Sequence, residues 1–292
     1  MRILILGSSG MVGHVLMLKL LEKGYDVTGI SHTRRFTKDT ILLDLTNQQE
    51  FDKFWEKQSF DLVINCCALL VQRCEERKTE AININAFLPH LLEEKIRYKH
   101  TKLIHISTDG VFDGIRGNYI EEDFPNARTF YGRTKALGEV INNKDLTIRS
   151  SFIGPDISQT GSGLLNWFFQ QREMVNGFQN VRFNGITSIE FSNFIINIIE
   201  KDITGIYHLH ASEVISKGEL LIKLKKQFGL ALIDINNQVT PCSNHALLNT
   251  RNDFNYTNKS YDQMLIDLKN WIYTHEELYP HYKRVFEMRN KK

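Results

Sequence analysis

Tyr131 and Lys135, four residues apart in the run Tyr131-Gly132-Arg133-Thr134-Lys135, are the side chains of this sequence best suited to moving a proton. On a helix, an i, i+4 pair shares one face. An ammonium beside a phenol favours the phenolate, lowering a pKa that is about 10 when unperturbed. A tyrosine held that way can give or take a proton near neutrality. Upstream, Ser107-Thr108-Asp109 follows the strand-like run Lys102 to Ile106 and carries a second polar group, the Thr108 hydroxyl. It falls at the carboxyl edge of a sheet, where ligands bind in open α/β folds. A proton donor and a hydroxyl converging on one oxygen suit the reduction of a carbonyl.

Reduction needs a hydride donor, and the N-terminus offers a place for one. Gly7-Ser8-Ser9-Gly10-Met11-Val12-Gly13 follows the first strand directly and opens the first helix. Glycines there permit a tight turn and let backbone N–H groups approach a pyrophosphate, which the helix N-terminus also attracts. The spacing is G-x-x-G-x-x-G rather than G-x-G-x-x-G, so the strand-turn-helix context carries the reading. Gly7, Ser9, Gly10, Met11 and Val12 are the expected contacts. After the second strand the chain reads Ser31-His32-Thr33-Arg34-Arg35, with no acid at the strand tip. An acid would bind ribose hydroxyls and repel a 2′-phosphate, whereas guanidinium groups match phosphate oxygens, so NADP(H) is favoured over NAD. Ser31, His32, Arg34 and Arg35 are the expected contacts, although two arginines also fit a solvated loop. Asp44 reads as an acceptor for the adenine amino group or as a turn cap, with Leu45 beside it. Cys67, Ala68 and Ile106 fall at strand ends facing the same crevice. Lys135 then holds the cofactor ribose and tunes Tyr131.

Six strand-like runs, near 2–6, 25–30, 40–43, 61–66, 102–107 and 146–150, alternate with amphipathic stretches such as Val12 to Glu22, Gln48 to Glu56 and Ala81 to Tyr98. Apolar strands separated by helix-length segments predict a doubly wound parallel sheet of the Rossmann type. The expected division is a dinucleotide-binding domain over 1–155, with returning segments around 181–212, and a smaller α/β cap over 156–292. A helix containing Trp167 and Phe168, others near 189–200, 217–228 and 261–275, and a strand at 205–210 belong to the second half. The last residues, Arg289 to Lys292, read as a frayed basic tail.

Composition narrows the class further. The 292 residues carry 36 Lys plus Arg against 34 Asp plus Glu, a formal net charge of +2 that points to neither nucleic acid nor a membrane surface. No apolar run could span a bilayer, and no secretory signal is visible. The four cysteines form no C-x-x-C pair, so neither a metal site nor a disulfide framework is expected, and the chain reads as cytoplasmic.

The glycine turn, Ser107-Thr108-Asp109-Gly110-Val111-Phe112-Asp113-Gly114, and Tyr131-Gly132-Arg133-Thr134-Lys135-Ala136-Leu137-Gly138-Glu139 together resemble the extended short-chain dehydrogenase/reductases. Within them the chain is most similar to the dTDP-4-dehydrorhamnose reductase group. Asn65-Cys66-Cys67-Ala68, Asn85, Arg149-Ser150-Ser151-Phe152 and Gly205-Ile206-Tyr207-His208-Leu209 agree with it. The resemblance implies NADPH-dependent reduction of the C4 keto group of a UDP- or dTDP-linked 4-keto-6-deoxyhexose, with Thr108, Tyr131 and Lys135 catalytic. It further implies substrate contacts from Thr108, Val111, Phe152, Asn166, Trp167, Asn184 and Thr187, and a homodimer. Rhamnose reductases usually carry a tyrosine where Gly110 stands, which implies a roomier pocket here. Segments 117–124 and 164–168 look closer to relatives acting on UDP-linked 2-acetamido sugars, some of which epimerise C3 first; Cys66, Cys67, Cys74 and His105 are nearest in sequence for that step. Two other readings stay open: a regulatory subunit that binds a dinucleotide without catalysis, and a 4,6-dehydratase. The intact Thr108, Tyr131 and Lys135 weigh against the first, and Gly110 in place of a second acid weighs against the other.

Overall fold

Runs of four or five apolar residues bounded by turns bury both faces when they become strands, and this chain does so repeatedly. In the computed structural model, which describes residues 1–289, β1 (Arg2–Leu6) has Ile3, Leu4, Ile5 and Leu6 fully buried. It pairs in parallel with β2 (Asp26–Ser31) on one side and β4 (Leu62–Asn65) on the other. β3 (Thr40–Leu42) extends the sheet beyond β2, while β5 (Lys102–Ile106) and β6 (Leu146–Arg149) extend it beyond β4. A late strand, Gly205–His208, returns from the second half of the chain to close the far edge beside β6, making seven parallel strands. The chain leaves β1 toward β2 and comes back on the other side at β4, so the order in which strands are added reverses between β1 and β4. The crevice at the carboxyl ends of those two strands is where ligands bind in such sheets.

Helices cover both faces. Val15, Leu16 and Leu20 of α1 (Gly13–Glu22) share one core with Phe191, Phe194 and Ile195 of the helix Ser188–Ile198. On the other face, Phe51 and Trp55 of α2 (Gln48–Glu56) pack with Leu88, Leu92 and Ile96 of the helix Leu88–Ile96. The expected helix over 81–98 forms, as part of a continuous helical stretch from Lys78 to Ile96 that carries an irregular turn. Two short helices, α3 (Val71–Glu76) and α4 (Lys78–Ala81), lead through a π-helical turn, Ile82–Phe87, into α5 (Leu88–Ile96). Asn85 accounts for the turn: its amide accepts from the Leu69 N–H at 2.8 Å and donates to the Thr134 hydroxyl at 3.2 Å. Such turns are often found at functional sites, and this one ties the loop after β4 to α6 (Phe130–Leu137).

The rest of the second half is built from small sheets and helices. Met174–Phe178 pairs with Asp234–Gln238, and Val181–Phe183 lies between Ile215–Ser216 and Ser243–Asn244. The helix Lys217–Phe228 starts with a capping box formed by Ser216 and Glu219. Helices Tyr261–Thr274 and Lys283–Arg289 end the described chain. Of the expected basic tail, Arg289 closes the last helix, and residues 290–292 lie outside the described residues. No helix is long and apolar enough to cross a membrane, and no cluster of metal-ligating side chains occurs, among the described residues.

Candidate active site

Strand β5 ends where the site begins. Ser107 follows it, and its hydroxyl donates to Glu139 at 2.7 Å. Glu139 in turn holds Arg149 through two bonds, Nε at 2.8 Å and Nη2 at 2.7 Å, with both side chains buried. This pair locks the carboxyl ends of β5 and β6 to the residues after α6. Thr108 caps the short turn Asp109–Val111, its hydroxyl accepting from the Gly110 N–H at 3.0 Å.

α6 is held against that turn at close range. Thr129 caps its start, accepting from the Gly132 N–H at 3.1 Å. A side chain at Gly132 would overlap the Gly110 carbonyl, so only glycine lets the helix approach this closely. Tyr131 therefore stands beside Thr108, with Gly110 between them: a Cβ at Gly110 would sit 3.3 Å from Thr108 Oγ1 and 3.5 Å from the Tyr131 ring. The three residues line a crevice of about 350 Å³, ample for a small ligand.

The electrostatics of Tyr131 differ from the sequence expectation. Lys135 shares its helix, but the ammonium turns away, donating to the Ile106 carbonyl at 2.7 Å and lying 3.3 Å from His105 Nε2. Burial pushes the Tyr131 phenol up to about 12, a Thr108 hydrogen bond pulling the other way and Asp109 and Cys74 adding to the rise. The phenol is thus kept protonated, the form a proton donor needs. Lys135 is brought down to about 8 by burial, against the pull of Glu139 and the neighbouring cysteines. His105 is held neutral, its pKa driven well down by burial and by Lys135, and its Nδ1 lies 3.2 Å from Asn65.

The glycine turn is tight and closely packed. Gly7 adopts φ +75°, and a Cβ there would come within 3.0 Å of the Cys67 N–H nitrogen, so the turn and the end of β4 meet backbone to backbone. Ser9 and Ser31 share a 2.5 Å hydrogen bond across the first two strands. Met11 packs against the backbone at Gly154 and Gly163, and Val12 packs on the core. Arg34 donates to the Ile157 carbonyl at 2.7 Å, while Arg35 and His32 are exposed. Asp44 behaves as a turn cap: one oxygen accepts from both the N–H and hydroxyl of Thr46, at 2.9 and 2.7 Å, holding its pKa down. Leu45 packs beneath it, and Cys67 and Ala68 lie past the end of β4.

The anticipated substrate contacts divide. Thr108 lines the crevice. Val111 is instead fully buried with Phe112 and Tyr119. Phe152 packs edge-on against Phe191, ring centres 5.3 Å apart. Asn166 is buried and braces its own loop through the Gln159 and Gly161 carbonyls, at 3.1 and 2.6 Å. Trp167 is partly exposed and sits outside the crevice wall. Asn184 holds both backbone groups of Leu247, at 2.8 and 2.9 Å, and Thr187 caps the helix Ser188–Ile198. Val111, Asn166, Asn184 and Thr187 thus carry packing, bracing and capping roles in this structure.

Residues not singled out from the sequence complete the wall. Arg128, Arg182, Lys217 and His245 line it with Asp109 and Asp113, three cations against two carboxylates. Lys217 Nζ stands 3.6 Å from the centre of the Phe183 ring, and burial pushes its pKa down while Asp109 pulls it up. A lysine at the first position of a helix opposes the helix dipole, and that local conflict is the one signal the sequence held for it.

The chain is similar to proteins already known. A protein of Haloferax volcanii named as a probable low-salt glycan biosynthesis reductase is 34% identical over 155 residues, 50% of this chain and 52% of that protein. The chain spans about half the length of the first curated relatives it matches. The crystal structure of a hypothetical dTDP-4-dehydrorhamnose reductase from Sulfolobus tokodaii is 30% identical, covers 85% of this chain and 92% of its own, and superposes with a TM-score of 0.74. The fold is also that of a Bacillus anthracis dTDP-4-dehydrorhamnose reductase solved with NADP, at 22% identity and TM-score 0.78, covering 91% of this chain and 98% of that one. The family described as RmlD substrate binding domain matches residues 1–253, and the chain belongs to it.

Proposed function

We propose that this chain is an NADPH-dependent reductase acting on the C4 keto group of a nucleotide-linked 4-keto-6-deoxyhexose. The observation that carries the reading is that one crevice is lined by Tyr131, Thr108 and Gly110 together with Arg128, Arg182 and Lys217. A nucleotide sugar brings a neutral ketone and a diphosphate, and the hydroxyl groups and the cations of this lining complement those two parts. The residues present also fit the cofactor: the Gly7 turn meets the end of β4 without side chains between, and Ser31, Arg34 and Arg35 lie at the tip of β2. When bound, the dinucleotide supplies the hydride.

Tyr131, protonated across the physiological range, gives its proton to the oxygen that gains charge. Thr108, oriented by the Gly110 N–H, hydrogen-bonds the same oxygen. Lys135, anchored on the Ile106 carbonyl, keeps a positive charge at the end of β5 and would hold the cofactor ribose. Reduction alone is the reading favoured here over a coupled C3 epimerisation. Deprotonating C3 needs a base, and burial holds Cys66 and Cys67 as thiols, Cys67 at about 12, while Cys74 donates to the Leu69 carbonyl.

The test is incubation of the protein with NADPH and a panel of UDP- and dTDP-linked 4-keto-6-deoxy sugars, following loss of reduced nicotinamide and assigning product configuration by NMR. Oxidation of one NADPH per sugar with C3 unchanged is expected. Inversion at C3 would restore the epimerase, and no oxidation with any sugar would end the reductase reading.

A further inference from the structure

The chain beyond residue 253 lies outside the stretch matched by the family, yet it reaches back to the glycine turn at the opposite terminus. His14, in the first turn of α1, is fully buried. Its Nδ1 lies 2.8 Å from the Gly10 carbonyl oxygen, and its Nε2 lies 2.8 Å from the Tyr279 hydroxyl. The Trp271 indole N–H donates to the same hydroxyl at 2.9 Å. Chemistry fixes the directions. A carbonyl only accepts, so Nδ1 carries the ring proton; Nε2 is then a lone pair and accepts from Tyr279; the indole only donates. Donation runs from Trp271 to Tyr279 to His14 to Gly10, and each of these buried groups is satisfied. Burial keeps the imidazole neutral, with its pKa down at about 4.

The Gly10 carbonyl also accepts the backbone N–H of His14, at 3.1 Å. In a planar trans peptide, the carbonyl of one residue and the N–H of the next point in opposite directions. Holding the Gly10 carbonyl on His14 therefore aims the Met11 N–H away from the helix body, on the side where an anion meets the positive end of the helix. The same C-terminal tail braces the neighbouring loop. The Tyr282 hydroxyl accepts from the Asp156 N–H at 3.1 Å, and the Asp156 carboxylate accepts from the Gly163 N–H at 3.1 Å, beside Met11.

We infer that Tyr279 and His14 form a latch through which the C-terminal tail fixes the Gly10–Met11 peptide and sets the affinity of the glycine turn for the diphosphate of a dinucleotide. The inference rests on the dinucleotide reading given above. Both are positioning residues, since neither lines the crevice that holds Tyr131.

The full-length protein and the variants Tyr279→Phe, His14→Gln and His14→Asn, titrated with NADPH by nicotinamide fluorescence, test the latch. Asparagine places an amide N–H near the position of Nδ1 and retains the Gly10 bond; glutamine extends past it toward Tyr279. Loss of one buried hydrogen bond corresponds to about a tenfold change in an equilibrium constant. His14→Gln, which loses the Gly10 bond, is expected to raise the Kd about tenfold, and Tyr279→Phe and His14→Asn, which each lose the Tyr279 contact and keep the Gly10 bond, about threefold. The KM for NADPH should follow Kd, with kcat within about twofold of wild type. Equal Kd values across the set overturn the latch, as does a rise for His14→Asn matching that for His14→Gln, which marks plain packing. Should Tyr279→Phe fail to fold, the His14 pair decides. Wild-type protein that binds neither NADPH nor NADP⁺ overturns the dinucleotide reading itself, whereas tight wild-type binding with unaltered variants removes the latch alone.

Discussion

The sheet wall and the cap wall of the crevice treat buried polar groups in opposite ways. On the sheet side, Ser107, Glu139 and Arg149 form a closed set of hydrogen bonds, and Asn65, His105 and Lys135 form another. Among the described residues, every buried side-chain polar atom without a partner belongs to residue 151 or beyond, on Ser151, Asn166, Ser188, His245, Tyr261 and His281. Ser151 and His245 line the crevice. A buried polar atom left unpaired costs about 1–3 kcal/mol. The comparison separates a finished face, proposed above as catalytic, from one that leaves polar groups unpaired, which we propose as the recognition face.

Breaking the finished face should have the largest effects. Tyr131→Phe is expected to lower turnover about a thousandfold while NADPH binds within twofold of wild type, measured by single-turnover kinetics beside a binding titration. Full turnover in this variant would remove the proton donor. Arg149→Met leaves the buried Glu139 without its cation, with the Ser107 hydroxyl still bonded to it, and urea unfolding should show a loss of about 3 kcal/mol or more. A loss below about 1 kcal/mol would mean that the pair does not organise this wall.

The recognition face should respond differently. Lys217→Met is expected to leave unfolding within about 1 kcal/mol of wild type and to raise the KM for the nucleotide sugar about tenfold. The reverse pattern, instability with an unchanged KM, would make Lys217 part of the packing. The smallest effect is with pH. Lys135 is protonated below about 8 and loses its proton as pH rises through that value. The kcat/KM should therefore be level at neutral pH, half-maximal near 8 and falling beyond it, with Tyr131 still a phenol there. A profile flat to pH 10 would separate Lys135 from the reaction.

The same division governs what could be read in the sequence. Strands, the glycine turn and the catalytic helix are local: periodicity marks β1 to β6, and Tyr131 and Lys135 meet their surroundings through one short helix. The direction of the Lys135 ammonium is not local. It depends on the Ile106 carbonyl and on His105 across the sheet, so the expected lowering of Tyr131 gave way to burial. Cap residues were the least legible. Asn184 and Asn166 look like sugar contacts as isolated amides, but chain segments far from or looping over them need their hydrogen bonds. Arg128 and Arg182 look like solvated charges until the fold brings them to one crevice.

The most direct measurement uses NADPH deuterated at both hydrogens of the nicotinamide C4, incubated with a nucleotide-linked 4-keto-6-deoxyhexose and the wild-type protein, with the product read by NMR. One deuterium on sugar C4 per dinucleotide oxidised is the expected result. Consumption of the sugar with no label at C4, or no oxidation at any substrate concentration, would contradict carbonyl reduction at this site.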